Sequence, residues 1–349
     1  MREVKDRMLF NLIHDYFKVY LLRQRRLSPN TVRSYQGALE LLLDFIKSKR
    51  NIRLSEVTFD MIDKETVIAF LDWLKAERDC CAATQNQRLQ CIRSFCSFAA
   101  DVEPMAVVHK AEISKIKPLS VPGSTTVEYM SEAAVKAVLS QPDTTTRKGI
   151  RDLFLMVLLY DTGARIQEVL NIRMKDLHLG NTPMITLLGK GQKIRHVSMM
   201  GSTVDHFKRY EGVFHDEEKP YSEQFLFYVV RDNERKRMTE DNVRRFIRAY
   251  GSAAQKICPE VPSNVHPHLF RHSRAMHLYQ HGMPLALISQ WLGHSDVETT
   301  LIYAHADTEM KRKAIEAATP ENSLLRGHLD FERYIVSDEE MIKRLYGLR

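Results

Sequence analysis

Residues 264–305, NVHPHLFRHSRAMHLYQHGMPLALISQWLGHSDVETTLIYAH, indicate what the rest of the chain is built to support. They carry basic and imidazole groups at fixed intervals, His268, Arg271 and His294, and Tyr303 follows nine residues after the last of them. Apolar residues recur between these groups at helical spacing, which predicts packed helices. Arginines and histidines that converge on one hydroxyl are typical of an anion pocket with a nucleophile beside it. We expect the anion to be a nucleic-acid phosphate.

The composition indicates a folded protein with a basic surface. The chain has 349 residues, enough for two domains, each with its own core. Hydrophobic residues make up 44% and charged residues 27%, as in ordinary soluble proteins. The formal net charge of +7 favours a polyanionic partner, although a solvated basic surface explains it nearly as well.

Several sequence features argue against secretion, a membrane anchor and a metal site. The N-terminal residues, MREVKDRMLF, are too charged for a secretory signal. The longest apolar run, residues 153–160, is too short to cross a bilayer. The five cysteines lack CxxC spacing, which favours buried free thiols over zinc ligands. We therefore expect an intracellular protein without a metal.

Four predicted helices form an N-terminal domain over residues 1–118. In the first, over residues 8–21, apolar residues recur at three and four positions. A serine-capped second helix begins at Pro29. The third helix fits residues 64–76, and the fourth begins at Thr84 with a capping box. Four helices over this length predict a compact helical domain.

The second and fourth predicted helices carry polar and basic residues at outward positions. Such side chains reach phosphates and base edges in the major groove of DNA, but they also occur on any solvated helix face. The candidate DNA-binding residues of this domain are Asn30, Thr31, Arg33, Tyr35, Gln85, Asn86, Arg88 and Arg93.

A second domain, residues 129–349, follows a predicted linker at residues 119–128. The segment KIKPLSVPGSTTVEYM has two prolines, a glycine and a Ser/Thr run, which are typical of linkers. MITLLGKGQKIRHVSM is predicted to form a β-hairpin, because two apolar-rich runs flank a glycine-containing turn. FLFYVV, at residues 225–230, is a candidate further strand. The remainder is predicted to be helical, ending in a charged tail over residues 309–349.

Four separated segments carry the polar residues of one predicted site. In chain order these residues are Arg165, Glu168, Lys190, His268, Arg271, His294 and Tyr303. Their order and spacing resemble the tyrosine recombinase (phage integrase) family over nearly the whole chain. The resemblance implies a mainly α fold with a small β-sheet. A helical SAM-like core-binding domain would precede a tyrosine-recombinase catalytic domain of the DNA-breaking-rejoining fold.

The resemblance also implies a role for each residue in DNA breakage and rejoining without ATP or metal. Tyr303 would attack a phosphodiester to give a 3′-phosphotyrosyl link. Arg165 and Arg271 would hold the non-bridging oxygens, because a guanidinium is a planar fork of donors. The other implied roles are a phosphate hydrogen bond from His294, acceptance of the tyrosine proton by His268, directly or by orientation, protonation of the leaving 5′-oxygen by Lys190, and orientation of a neighbouring side chain by Glu168. Lys193, in the strand after the turn, is the nearest rival to Lys190 and is otherwise a candidate phosphate contact.

The family further implies partners and a place of action. The partner would be double-stranded DNA with specific recombination sites, bound by a homo-oligomer, a tetramer, that assembles through the C-terminal tail. The place would be the cytoplasm, at the nucleoid. No arm-binding module of the lambda type fits before the first helix, which favours an Xer-like or mobile-element integrase.

Other interpretations of these residues stay open. Arg165 and Glu168 could form only a helical ion pair, and Tyr303 could be a core residue. His268 and His272 have i, i+4 spacing, but the glutamate of HExxH is missing and neighbouring arginines would repel zinc. The histidines interpreted as structural or surface residues are His266, His272, His277, His281 and His305. The alternative functions are a type IB topoisomerase, a hairpin-forming resolvase and a non-catalytic DNA-binding regulator.

Overall fold

The chain divides into two compact units, Met1–Gly123 and Ser124–Arg349. The structure is a computed structural model that describes residues 5–121, 127–189, 191, 193–216, 222–293, 298–306, 312 and 343. Lys190, His294 and nearly all of the predicted tail lie outside the described residues.

The first unit is helical, as predicted, but it contains a fifth helix. Asp63 caps the third helix through the amide of Thr66, and Ser28 caps the second through the amide of Thr31. The fourth begins two residues earlier than predicted, after Cys81. The helices are α1 (Arg7–Asp15, continued by a π-helical stretch, Tyr16–Gln24), α2 (Pro29–Arg50), α3 (Lys64–Ala76), α4 (Ala82–Val102) and α5 (Ala106–Ser114).

Aromatic rings hold the first unit together. The ring of Tyr16 is fully buried and contacts those of Phe95 and Phe98, which brings the end of α1 against α4. Helix α5 was not predicted because its sequence, AVVHKAEIS, shows no clear amphipathic pattern, and Val107 and Val108 are exposed.

The second unit is also mainly helical and contains two small antiparallel sheets, which confirms the predicted fold class. Its helices are α6 (Glu132–Leu139), α7 (Arg147–Thr162), α8 (Ile166–Asn171), α9 (Gly201–Phe214), α10 (Glu240–Gln255), α11 (Pro267–Gln280), α12 (Leu285–Leu292) and α13 (Glu298–Ala306). The strands are β1 (Leu177–His178), β2 (Met184–Leu188), β3 (Ile194–Ser198), β4 (Tyr228–Arg231) and β5 (Glu234–Arg237).

The predicted hairpin is part of a three-stranded sheet. Strands β2 and β3 pair from Met184–Ser198 to Leu188–Ile194, so the turn covers residues 189–193. The short strand β1 pairs with the other edge of β2 and was not predicted. The strand predicted at residues 225–230 begins later, at Tyr228, and pairs with β5.

Two buried clusters fix the helices of the second unit. The larger contains Phe154, Phe207 and Phe270, which belong to α7, α9 and α11. A smaller cluster joins Met276 of α11 to α12, and it includes the ring of Tyr303. These clusters place α8, the hairpin and the ends of α11, α12 and α13 where their polar residues can meet.

The cysteines differ in their exposure. Cys91 and Cys96 are buried, but Cys81 is exposed at the start of α4, so the expectation of buried thiols was wrong for that residue. Within the described segments, no helix is both long and apolar enough to cross a membrane.

Candidate active site

Arg165 lies at the N-terminus of α8, where Glu168 holds it. The backbone amide of Arg165 donates to Glu168 Oε2 at 2.8 Å, and its Nη1 donates to Oε1 at 3.0 Å. The Glu168 side chain is 4% exposed, whereas that of Arg165 is 34% exposed. The Arg-x-x-Glu spacing therefore forms a buried cap that fixes a guanidinium while leaving part of it open to solvent.

Arg195 was not predicted as a site residue, yet it forms a close ion pair with Glu168. Arg195 lies on β3, and its Nη1 and Nη2 donate to the two oxygens of Glu168 at 3.0 and 2.7 Å. Burial acts to raise the pKa of Glu168, but the hydrogen bonds and charges of Arg195 and Arg165 outweigh it and lower that pKa. Glu168 is therefore a charged carboxylate shared by two arginines.

The Arg195–Glu168 pair lies against the residues that precede two predicted catalytic positions. A Cβ added at Gly189, just before Lys190, would lie 3.4 Å from Glu168 Oε1. One added at Gly293, just before His294, would lie 3.1 Å from Arg195 Cδ. The backbone segments leading to both positions thus approach the same ion pair.

Arg271 ties two further segments together from the buried side. Its side chain is 4% exposed; Nη1 donates to the carbonyl of Gly163 at 2.6 Å and Nη2 to that of Leu292 at 2.9 Å. Burial, followed by the charge of Arg165, lowers the pKa of Arg271 to about 10. These bonds use two of the five guanidinium donors, so others remain for a ligand.

Gly163 makes this junction possible. Gly163 follows the last residue of α7 with a φ of +57°, a left-handed backbone conformation that favours glycine. A Cβ at Gly163 would also lie 2.8 Å from the ring of Trp291. The turn before Arg165 therefore packs directly on α12.

Positive charge is in excess among the described residues of this region. Arg165, Arg195 and Arg271 surround the carboxylate of Glu168, which leaves these four side chains with a formal excess of two positive charges. Buried and half-buried charges are costly unless a counter-charge accompanies them, so this excess is suited to binding an anion. The described residues contain no cluster of His, Cys, Asp and Glu that suits a metal ion.

Tyr303 lies beside these arginines with a histidine partner that the sequence analysis had assigned to structure or surface. Tyr303 on α13 is fully buried, and its Oη lies 3.0 Å from Nδ1 of His272 on α11. Burial raises the pKa of Tyr303, and the charge of Arg271 acts in the opposite direction. Burial, then His268, Arg271 and His266, lower the pKa of His272 to about 4. The structure thus pairs a neutral phenol with a neutral imidazole.

His268, predicted to accept the tyrosine proton, lies one turn earlier on α11 and is exposed. Although the residue is exposed, partial desolvation of its ring and then the interactions with His266 and Arg271 lower its pKa. A cavity of about 280 Å³ beside it is lined by Ile166, Arg244, Arg248, Asn264, Val265, His266, Pro267 and His268. This basic cavity, continuous with the exposed arginines of α10, was also missed from the sequence.

Of the two hairpin lysines, only Lys193 belongs to the described residues. Its side chain is exposed, and its carbonyl accepts from the amide of Gly189 at 2.8 Å, which closes the turn. The predicted catalytic positions Lys190 and His294 lie outside the described residues.

The predicted DNA-binding residues of the first unit divide into two groups. Asn30 and Arg33 are exposed on α2, while Thr31 and Tyr35 are half-buried there. Gln85, expected to point outward, is buried and donates to the carbonyl of Cys80 at 2.9 Å, because it lies four residues before Leu89 on the buried face of α4.

Two more of these candidates make contacts within the unit. Arg93 donates to the carbonyl of Ser114 at 3.1 Å and to that of Ile116, so it secures the end of α5. Arg88 donates to the carbonyl of Ser34 at 3.3 Å, which links α4 to α2.

Comparison with known protein families identifies the family to which the chain belongs. Residues 128–310 match the phage integrase family, and residues 14–102 match the phage integrase N-terminal SAM-like domain. The chain belongs to the phage integrase family. Its relatives include the integrase/recombinase y4rC of Sinorhizobium fredii, 30% identical over 90% of this chain and 93% of that protein. The tyrosine recombinase XerD of Staphylococcus epidermidis is 26% identical over 87% and 97% of the two chains.

Solved structures of this family share the fold. XerH recombinase bound to its difH substrate aligns with a TM-score of 0.61 and 19% identity, covering 90% of this chain and 89% of that one. A Tn1549 transposon integrase in complex with transposon right-end DNA aligns with a TM-score of 0.62 and 21% identity, covering 86% and 98%. The family assignment makes this chain a recombinase of the tyrosine class.

Proposed function

We propose that this chain cleaves and rejoins double-stranded DNA at specific sites through a 3′-phosphotyrosyl link to Tyr303. The observation that carries the proposal is the excess positive charge of Arg165, Arg195 and Arg271 around Glu168, next to a buried tyrosine. A phosphodiester offers the anionic oxygens that such a site lacks. As charge builds on the phosphorus, each preorganised donor contributes about 3–4 kcal/mol.

Each side chain then has a step in the reaction. Arg165, half open to solvent, and Arg271, with donors to spare, bind the non-bridging oxygens. His294 adds a hydrogen bond to the phosphate, and Lys190 protonates the 5′-oxygen as it leaves. Glu168 keeps Arg165 in place. Because the phosphotyrosyl link conserves the energy of the broken bond, rejoining needs neither ATP nor a metal.

Contacts along the duplex supply affinity. We assign phosphate binding to the exposed α2 residues Asn30 and Arg33, and to the cavity lined by Arg244, Arg248 and His268. We do not include Arg93 in this set, since its Nη2 donates to the carbonyls of Ser114 and Ile116 at the end of α5. The solved structures of XerH and of the Tn1549 integrase are complexes with DNA, which supports the same partner here.

Recombination requires more than one protomer. Four strands must be cut, and each chain carries one Tyr303, so we propose a tetramer on the DNA. The charged segment at residues 309–349 would connect neighbouring protomers. The enzyme would act where its DNA lies, at the nucleoid.

The test is formation of a covalent adduct. Protein is incubated in EDTA with a suicide duplex carrying the DNA that flanks the coding region, then denatured and separated by size. A slower band should form with wild type and with the control Tyr279→Phe, and should be lost in Tyr303→Phe. An adduct that persists in Tyr303→Phe would refute the assignment. Site-independent relaxation of supercoils by monomers would favour a type IB topoisomerase instead.

A further inference from the structure

We propose that His272, through Nδ1, accepts the phenol proton of Tyr303 when that oxygen attacks the phosphate. The proposal rests on the function proposed above and replaces His268 in that step. Its basis is geometric. The Oη–Nδ1 separation is 3.0 Å, within the range from which a base removes a proton. The two residues belong to α11 and α13, and both pack on the small buried cluster that fixes these helices.

His268 is less suited to this step. It lies four residues before His272 on the same helix, and its exposed ring borders the cavity formed with Arg244 and Arg248. Among the described residues, His272 Nδ1 is the group within hydrogen-bonding distance of Tyr303 Oη, at 3.0 Å. We therefore place His268 against a DNA phosphate rather than against the nucleophile.

The electrostatic setting explains why Tyr303 would be inert without DNA. The groups facing His272 are Tyr303 from α13, Arg271 and His268 from its own helix, and His266 at the helix start. Burial, followed by the interactions with His268, Arg271 and His266, holds the pKa of His272 at about 4, while burial raises the pKa of Tyr303. The proton therefore stays on the phenol.

A bound phosphate changes this balance. Its negative charge on Arg165 and Arg271 offsets the cations that lower the pKa of His272, so the imidazole becomes more basic. The same phosphate is the electrophile. Proton transfer thus becomes favourable only when there is a phosphorus to attack.

The step balances in atoms and charge. A lone pair of Tyr303 Oη forms the bond to phosphorus, and the O–H bond breaks as its proton passes to His272 Nδ1, giving an imidazolium. The bond between phosphorus and the 5′-oxygen breaks, and that oxygen takes a proton from Lys190. In rejoining, the imidazolium returns its proton to Tyr303.

The first test needs no DNA. In protein labelled with ¹⁵N-histidine, NMR should show His272 as the Nε2–H tautomer, with Nδ1 as the acceptor and the lowest pKa among the resolved histidines. The resonance is assigned by its loss in His272→Asn. Tyr303→Phe removes the donor, so the Nδ1 shift should change, while His281 should not respond. An Nδ1–H tautomer, or a spectrum indifferent to Tyr303→Phe, would overturn the pairing.

The second test follows adduct formation against pH in a single turnover. Asparagine at position 272 keeps a polar group near the place of Nδ1 but has no basicity. His272→Asn should slow cleavage about 100-fold or more with the Kd for DNA unchanged. His281→Asn, at the exposed end of the same helix, is the matched control and should react as wild type.

The pH profile separates catalysis from structure. A base must be unprotonated, so the wild-type rate should fall as pH drops through the pKa of His272 in the complex, and His272→Asn should lose this acid limb. If His272→Asn keeps the limb and His268→Asn loses it, the base is His268 and the proposal is wrong. Failure of wild type to form an adduct would refute the proposed function and the transfer with it, whereas the NMR result would still stand.

Discussion

Arg195 on β3 and Glu168 on α8 form a two-point ion pair with N–O distances of 3.0 and 2.7 Å. The same carboxylate accepts the backbone amide and Nη1 of Arg165. A strand of the hairpin and the arginine at the start of α8 are therefore held by one buried side chain. The pair also borders Gly189 and Gly293, so it contacts three of the segments that carry predicted catalytic residues.

Removing one member of this pair should affect stability and cleavage differently from removing both. Arg195→Met removes two of the four hydrogen-bond donors to the carboxylate of Glu168. We expect the free energy of unfolding to fall by about 3–5 kcal/mol. Arg195→Met combined with Glu168→Leu should regain much of that stability, because neither member of the buried pair is left without the other. Cleavage should not recover, since Arg165 has lost its acceptor.

Urea unfolding and single-turnover adduct formation measure the two effects. Lys75→Met, which breaks an exposed pair with Asp79, serves as the control and should alter neither. Recovery of cleavage in the double variant would show that Glu168 does not position Arg165.

Arg195 shows what a single sequence leaves undetermined. The Arg-x-x-Glu spacing identified Arg165 and Glu168, because residues three apart on a helix meet. Arg195 reaches Glu168 from a strand 27 residues away, and nothing in their spacing indicates this contact. The hairpin was predictable from its glycines, but not which strand residue points toward α8.

The histidines of α11 illustrate the same limit. His268 and His272 are four residues apart and share a face, so the sequence cannot distinguish which one meets Tyr303. The crossing of α11 and α13, set by buried residues such as Met276 and Ile288, decides it. Gln85 was predicted to point outward because it is polar, but it lies four residues before Leu89 and shares its buried face.

Gly163→Ala should disable the site without touching a reactive group. The substitution combines a strained φ of +57° with a Cβ 2.8 Å from Trp291. We expect the free energy of unfolding to fall by more than the roughly 1–3 kcal/mol that backbone strain alone would cost, and we expect cleavage to be slower. Gly282→Ala has φ of +87° but nothing within 4 Å, so it isolates the strain. Equal unfolding midpoints for the two variants would show that the Trp291 contact is unimportant.

Substitution of Arg248 should weaken DNA binding, whereas substitution of Arg93 should reduce stability. If six to ten phosphates are contacted, affinity should fall about 10³–10⁵-fold between about 50 and 200 mM salt. Arg248→Ala should weaken binding and reduce the salt slope by about one. Arg93→Ala should instead lower the unfolding temperature, because it frees the end of α5. A reduced slope for Arg93→Ala, with unchanged unfolding, would return Arg93 to the DNA interface.

Deletion of residues 309–349 should separate cleavage chemistry from assembly. The truncated chain keeps Tyr303 and the arginines, so we expect DNA binding to persist. Recombination should be abolished, because neighbouring protomers lose their connection. Light scattering on DNA should show smaller complexes than those of the full chain. Recombination at the normal rate by the truncated protein would mean that the segment has another role.

The assignment of the general acid to Lys190 has a chemical test. A 5′-alkoxide is a poor leaving group, so proton donation should contribute about 10²–10⁴-fold to the rate. Sulfur in place of the bridging 5′-oxygen leaves without a proton. Cleavage by Lys190→Ala should therefore recover on that substrate, whereas Arg165→Ala should stay slow because it lacks a phosphate ligand. Lys193 is the exposed rival in the same turn. If Lys193→Ala is rescued by sulfur and Lys190→Ala is not, Lys193 is the acid.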